Sequence, residues 1–349
     1  MKNIKKYVNE YVSPYGYMVL VIFLSRSFYS GIGFSNILLN SKKDTWLSLL
    51  IGFVIGFIPI LSIRLLNNRN INLLKVIHSK IIKFIIILVL IFSFTTLLND
   101  FINFCNVKYL FETSSVFIAI LIIISSIYIV NKGIETIGRS ALFMSFISIF
   151  LYIFISISLI KYIDIDNLKP ILKIDSIYII KSIILYISYT ITPIILLNII
   201  PKNDLITEEY NKCLMIGYII SFISIFIIFF FITTIYNYEY ISLFNYPAYF
   251  ALKKIDYNFI SNVENIYSLF FIIDYFYSIT TYIYIIKYYL KNEFNISNYY
   301  VLLIILVYIS TYLFKNINIV HFITNKLLHS VLLTFILFFI LIAPLKKDS

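Results

Sequence analysis

Long apolar runs alternate with short polar connections along the whole chain. A helix needs about 20 apolar residues to cross the hydrocarbon core of a bilayer. Ten runs meet that length, at roughly 15–39, 45–65, 82–105, 114–131, 139–161, 176–199, 213–237, 260–289, 299–315 and 327–344. The runs are continuous rather than alternating, which excludes the short two-faced strands of a membrane β-barrel. The connections leave no room for a soluble domain. The pattern therefore predicts an all-α integral membrane protein, with residues 1–349 forming one polytopic domain.

An even number of spans puts both termini on one side. Lys and Arg are modestly enriched in the connections of that side, which predicts cytoplasmic termini. The strongest basic stretch, 64–83, places Ile71, Leu74, Ile77 and Ile81 at helical spacing, so an interfacial helix is expected there. The basic start MKNIKKYVNE is followed by an apolar run too long for a signal-peptide core, and it reads as a retained first span.

Composition agrees with the pattern. The chain is 61% hydrophobic and 13% charged, against about 25% charged residues in soluble domains. Lipid is its main solvent. The net charge of +11 is spread over the connections and does not gather on one face, so no nucleic-acid partner is expected. Cys105 and Cys213 stand alone, and His78, His321 and His329 fit no metal-ligand spacing. No catalytic motif is present, so no catalytic residue, metal or cofactor is expected and the chain does not read as an enzyme.

Only 8 Gly and 7 Pro occur, so their positions carry information. Span 1 contains Ser30-Gly31-Ile32-Gly33, and span 6 contains Ser188-Tyr189-Thr190-Ile191-Thr192-Pro193. Interrupted spans at matching places in two halves mark binding sites of transporters built as inverted repeats. A five-plus-five repeat with spans 1 and 6 broken is therefore expected. Charges within spans default to functional hypotheses. Arg26 in span 1 and Asp274 in span 8 form the candidate intramembrane pair, whereas Asp100 and Glu264 read as near-interface groups. The candidate ligand-binding set is Ser30, Gly31, Gly33, Thr190, Thr192 and Asp274, between spans 1, 3, 6 and 8. Half-helix ends there suit a zwitterion.

Two stretches resemble a known family. KGIETIGRSALFMSFISIFLYIFISISLIKYIDIDNLKPIL (132–172) is similar to the endospore germination permeases, the B subunits of Ger-type nutrient receptors. It ends in their D-x-x-N-L-x-P-x-L segment, with Asn167, Leu168 and Pro170 in place. The second runs from Tyr246-Pro247 through 259–295 and has Glu264 at the acidic position of the entry into span 8. The resemblance implies the amino acid–polyamine–organocation superfamily fold, with broken spans 1 and 6. It also implies binding of a small nutrient, an amino acid or similar, beside receptor A and C subunits in the spore inner membrane. Two departures stand out: no Pro follows Leu38-Leu39, and span 6 lacks the family's Gly and Glu near its break. The missing carboxylate speaks against proton-coupled transport and against amino-acid amine recognition. The competing readings are an active cation-coupled amino-acid transporter and a membrane assembly factor with unbroken spans.

Overall fold

A computed structural model describes residues 11–69, 80–169, 174–236, 238–256 and 262–312. Its regular elements are helical. In chain order they are α1 (Pro14–Ser27), a 3₁₀ turn (Phe28–Ser30), α2 (Ile32–Ser41), α3 (Thr45–Asn68), α4 (Lys80–Lys108), α5 (Ser115–Asn131) and α6 (Ile134–Leu159). There follow α7 (Ser176–Leu197), α8 (Thr207–Ile235), the short α9 (Tyr238–Ile241), α10 (Pro247–Leu252) and α11 (Val263–Tyr267), then α12 (Leu269–Phe294) and α13 (Tyr300–Tyr312). Six helical stretches among the described residues are long and apolar enough to cross a bilayer, and α5 and α13 are shorter apolar helices. The chain is a multi-pass membrane protein.

Local chemistry explains the ends. Ser13 caps α1 by accepting from the Gly16 amide at 3.1 Å, with Pro14 in the first turn, where its missing N–H costs nothing. Ser114 caps α5 in the same way. Gly133 takes φ 97°, a left-handed turn that only glycine adopts freely, and so reverses the chain between α5 and α6. Glu208 and Glu209 complement the amino-terminal end of α8, which starts at Thr207 rather than near 213. Asn295 ends α12 in the left-handed region, and the Ile296 amide returns to the Leu290 carbonyl at 3.1 Å.

α1 lies at the centre, packed on α6, α7, α8 and α12. α7 is wedged against α1, α2 and α3, and α12 against α1, α4, α5 and α6. α6 stays at the rim and turns Phe143, Phe146, Phe150 and Ile157 outward, as suits a lipid-facing helix. The Asp164–Leu168 stretch folds onto the end of α8: the Asp164 amide and the Asn167 side-chain amide both donate to the Thr234 carbonyl, at 3.2 and 2.8 Å. That accounts for two polar positions of the sequence motif.

The expected break in span 1 is present, because α1 ends at Ser27 and α2 begins at Ile32. The expected break in span 6 is not. α7 runs unbroken from Ser176 to Leu197 with Pro193 inside it. A proline removes one backbone hydrogen bond and crowds one carbonyl. Here it falls in the last turn and a half of the helix, where residues Ser188–Leu197 are all buried, and the helix continues through it. Span 8 enters as two pieces, α11 and α12, separated by Ser268. The tenth run at 327–344, all three histidines, Pro170 and most of the expected interfacial helix lie outside the described residues.

Candidate functional site

The break is built by backbone. Phe28–Ser30 tighten into a 3₁₀ turn, and Gly31 at φ −147° and ψ −100° begins α2 without any side-chain cap. Gly33 lies so close to the turn that a Cβ there would stand 2.6 Å from the Phe28 carbonyl oxygen, so only glycine lets α2 seat on the turn. Ser30 is buried beside it.

Arg26, one residue before the end of α1, does not reach for the membrane surface. Its Nε donates to Asp274 Oδ2 and its Nη2 to Asp274 Oδ1, both at 2.5 Å. Nη2 also donates to Ser148 Oγ of α6 at 2.7 Å. The guanidinium carbon stands 5.8 Å from the Phe23 ring centre and 5.7 Å from that of Phe270. With exposures of 5% and 0%, the two charges are removed from lipid and water together. A two-point geometry with a third hydrogen bond is what makes such burial tolerable. The expected pair exists, and it ties spans 1, 5 and 8.

Span 6 meets the break through Tyr29. The hydroxyls of Tyr29 and Thr190 share a hydrogen bond of 2.7 Å, and Tyr29 also reaches the Tyr186 carbonyl at 3.4 Å. Asn36 of α2 donates to Tyr189 at 2.9 Å. Thr192 is also buried in α7. Its hydroxyl finds no hydrogen-bond partner among the described residues. Of the candidate ligand-binding residues, then, Ser30, Gly31, Gly33 and Thr190 gather at the break, and Asp274 joins through Arg26.

Asp100 is buried inside the bundle, at 1% exposed. A Cβ on Gly31 would stand 2.5 and 2.6 Å from the two carboxylate oxygens and 2.8 Å from the Tyr246 ring. Gly31 is thus a point of close approach between span 1 and span 3. Tyr275 donates to Asp100 Oδ2 at 2.8 Å, and Tyr246 to the Asp100 carbonyl at 3.1 Å. The segment carrying Tyr246 is pinned over α2, since Ser35 Oγ donates to the Asn245 carbonyl at 3.1 Å. Glu264, by contrast, is only half-buried in α11. The signal for Asp100 was its place inside an apolar run.

At the far end of α1, near its first turn, Lys202 of the α7–α8 connection donates to Asn198 and, at 3.3 Å, to Asn67. Its ammonium lies 4.8 Å from the Tyr17 ring centre. Asn67 donates to Asn211, and Asn211 to Asn68, at 2.8 and 2.6 Å. Spans 1, 2, 6 and 7 are stitched together there. Burial pushes the Lys202 pKa down to about 7.

Among the described residues, no group of three or more His, Cys, Asp or Glu is placed to hold a metal ion. Neither the curated proteins nor the solved structures contain a match to this chain. The family model described as "Spore germination protein" matches residues 12–320. An interrupted first span and a buried ion pair inside a bundle of membrane helices suit such a permease-like protein, and a match over nearly the whole length places the chain in the spore germination protein family, with a membrane role in germination.

Proposed function

We propose that this chain is the transporter-like membrane subunit of a nutrient-germinant receptor, and that it binds a small nutrient, an amino acid or similar, to trigger germination. It works beside A and C subunits in the inner membrane of the spore, with both termini on the cytoplasmic side. Its fold is the ten-span, five-plus-five arrangement implied by the family resemblance, with span 1 interrupted and span 6 continuous. The ligand sits at that interruption, near Ser30, Gly31, Gly33 and Thr190.

The observation that carries this reading is the Arg26–Asp274 pair. Asp274 is a buried carboxylate of span 8 beside the break, the kind of group a cation-coupled transporter offers to its ion. Here the chain fills that need itself, at two points and 2.5 Å. A fixed internal cation favours a protein that binds and signals over one that carries an ion through each cycle.

The test is genetic. Spores lacking the gene are exposed to a panel of single nutrients, and germination is followed by loss of optical density and release of dipicolinate. Loss of the response to at least one nutrient is expected. An unchanged response to every nutrient, in a strain without a redundant receptor, would overturn the proposal. Substrate accumulation in reconstituted vesicles under an ion gradient would replace it with active transport.

A further inference from the structure

Spans 5 and 7 part near the ends that meet the Asp164–Leu168 stretch. There α6, α8, α10 and the start of α12 leave a half-open groove with about 330 Å³ of empty space, its mouth included. Leu159, Ile232 and Leu252 line it toward those ends, and Tyr152 lines it two turns deeper along α6, about 10 Å away. The two polar side chains in the lining are already engaged. Tyr152 donates to the Ser224 carbonyl and Ser156 to the Tyr152 carbonyl of its own helix, both at 2.9 Å. A polar ligand would give up its hydration there and find no partner, so the groove suits an apolar chain. Phe143, Phe146 and Phe150 face outward on the same helix, so the medium beside the groove is lipid.

The rim is cationic. Lys253 and Lys254 follow the lining residue Leu252 directly, Lys161 stands two residues beyond Leu159, and all three are exposed. Lys254 lies 5.5 Å from the Tyr236 ring centre. Lys253 shares the Tyr249 ring with Lys108 of α4, at 5.9 and 4.7 Å. None of these four lysines forms an ion pair among the described residues, although Asp256 and Glu264 lie in the same stretch of chain. Tyrosines and lysines gathered at the end of apolar spans mark the headgroup level of a bilayer, and unpaired lysines there favour anionic lipid. The groove is also joined to the break. The Tyr152 ring packs on Phe270 at 6.3 Å, and Phe270 stands 5.7 Å from the Arg26 guanidinium. α10 packs on α8 and also on α2 and the Phe28–Ser30 turn.

We propose that an anionic phospholipid binds at this place, with one acyl chain in the groove between spans 5 and 7 and its phosphate on Lys253 and Lys254. The bound lipid braces α10 against α2. This site stands or falls independently of the nutrient-binding reading.

The test uses purified full-length protein stripped of lipid in detergent. Phosphatidylglycerol and phosphatidylcholine with identical acyl chains are added in turn, and retained lipid is counted by native mass spectrometry. Phosphatidylglycerol is expected to be retained and to raise the melting temperature, and phosphatidylcholine much less. Lys253→Gln combined with Lys254→Gln should weaken phosphatidylglycerol retention about ten-fold, with the lipid-free melting temperature unchanged. Phosphatidylglycerol carrying a photoreactive acyl chain should label residues 227–232. Ser156→Leu fills the groove, exchanging a hydroxyl bonded only within its own helix, and should abolish that label. Equal retention of the two lipids, undiminished retention by the double lysine variant, label spread evenly over the spans, or an equal melting shift from inorganic phosphate alone would overturn the proposal. If Ser156→Leu does not fold, the lysine variant and the labelled position decide.

Discussion

Arg26 and Asp274 lie 248 positions apart in sequence, yet they meet through two hydrogen bonds of 2.5 Å in the middle of the helix bundle. Removing either partner strands a charge in a place where neither water nor lipid headgroups reach it. Asp274→Asn is therefore expected to destabilise the protein by about 3–5 kcal/mol, while Arg26→Met combined with Asp274→Leu recovers most of that loss. Thermal unfolding in detergent measures both. A double variant no more stable than the single one would show that the pair is not what fills this space.

Gly31→Ala tests the close approach at the break. The added methyl would sit 2.5 Å from a carboxylate oxygen, so either α4 or α2 has to move. The expected cost is about 1–3 kcal/mol, together with loss of the response to nutrient. A Gly31→Ala protein that melts and signals like the wild type would mean that span 1 and span 3 are not in contact there.

Tyr246 covers the break. Tyr246→Phe loses only the bond to the Asp100 carbonyl, a loss of about 1 kcal/mol, while Tyr246→Ala uncovers Gly31. In a background without Cys105 and Cys213, both buried, a cysteine introduced by Ser35→Cys reports the difference. Its labelling by a polar maleimide should rise several-fold with Tyr246→Ala and little with Tyr246→Phe.

Lys202 gives the protein a pH signature. Its pKa falls from 10.5 to about 7 on folding, so between those two values the unfolded chain binds the extra proton. Stability should then rise as pH increases from about 7 toward 10. Lys202→Met removes the group that titrates, and the melting temperature should flatten over that range. An identical slope in the variant would assign the effect to another group.

Pro193 separates a hinge from a rod. In a helix that is already continuous, Pro193→Ala restores a hydrogen bond to the Tyr189 carbonyl and should stabilise α7 without loss of nutrient response. A stable but unresponsive variant would mean that span 6 bends during function.

Much of the helical layout was legible in the sequence because lipid imposes a simple rule. Runs long enough to cross it begin and end where polarity changes, and α3, α5 and α7 start within a residue of the expected positions. The span 1 break was legible because Ser30-Gly31-Ile32-Gly33 clusters rare residues, and the ion pair because Arg26 and Asp274 are opposite charges deep in apolar runs. The burial of Asp100 among the helices was not legible. Asn99, Asn103 and Asn106 make its neighbourhood look like the end of a span, but α4 continues to Lys108, and burial depends on what packs beside the helix. Pro193 was misjudged because sequence shows the bond a proline forfeits but not the neighbours that hold the helix together.

Because α7 is one rod and span 1 is two, movement at Gly31 has a single lever, not a matched pair. α2 is 10 residues long, an arm of about 15 Å, and its outer tip is fastened: Lys43 donates to the Lys169 carbonyl, and Asp44 accepts from the Ile174 amide at 3.3 Å. A tilt of α2 at Gly31 would therefore load its bonds to Lys169 and Ile174, in the strap between spans 5 and 6.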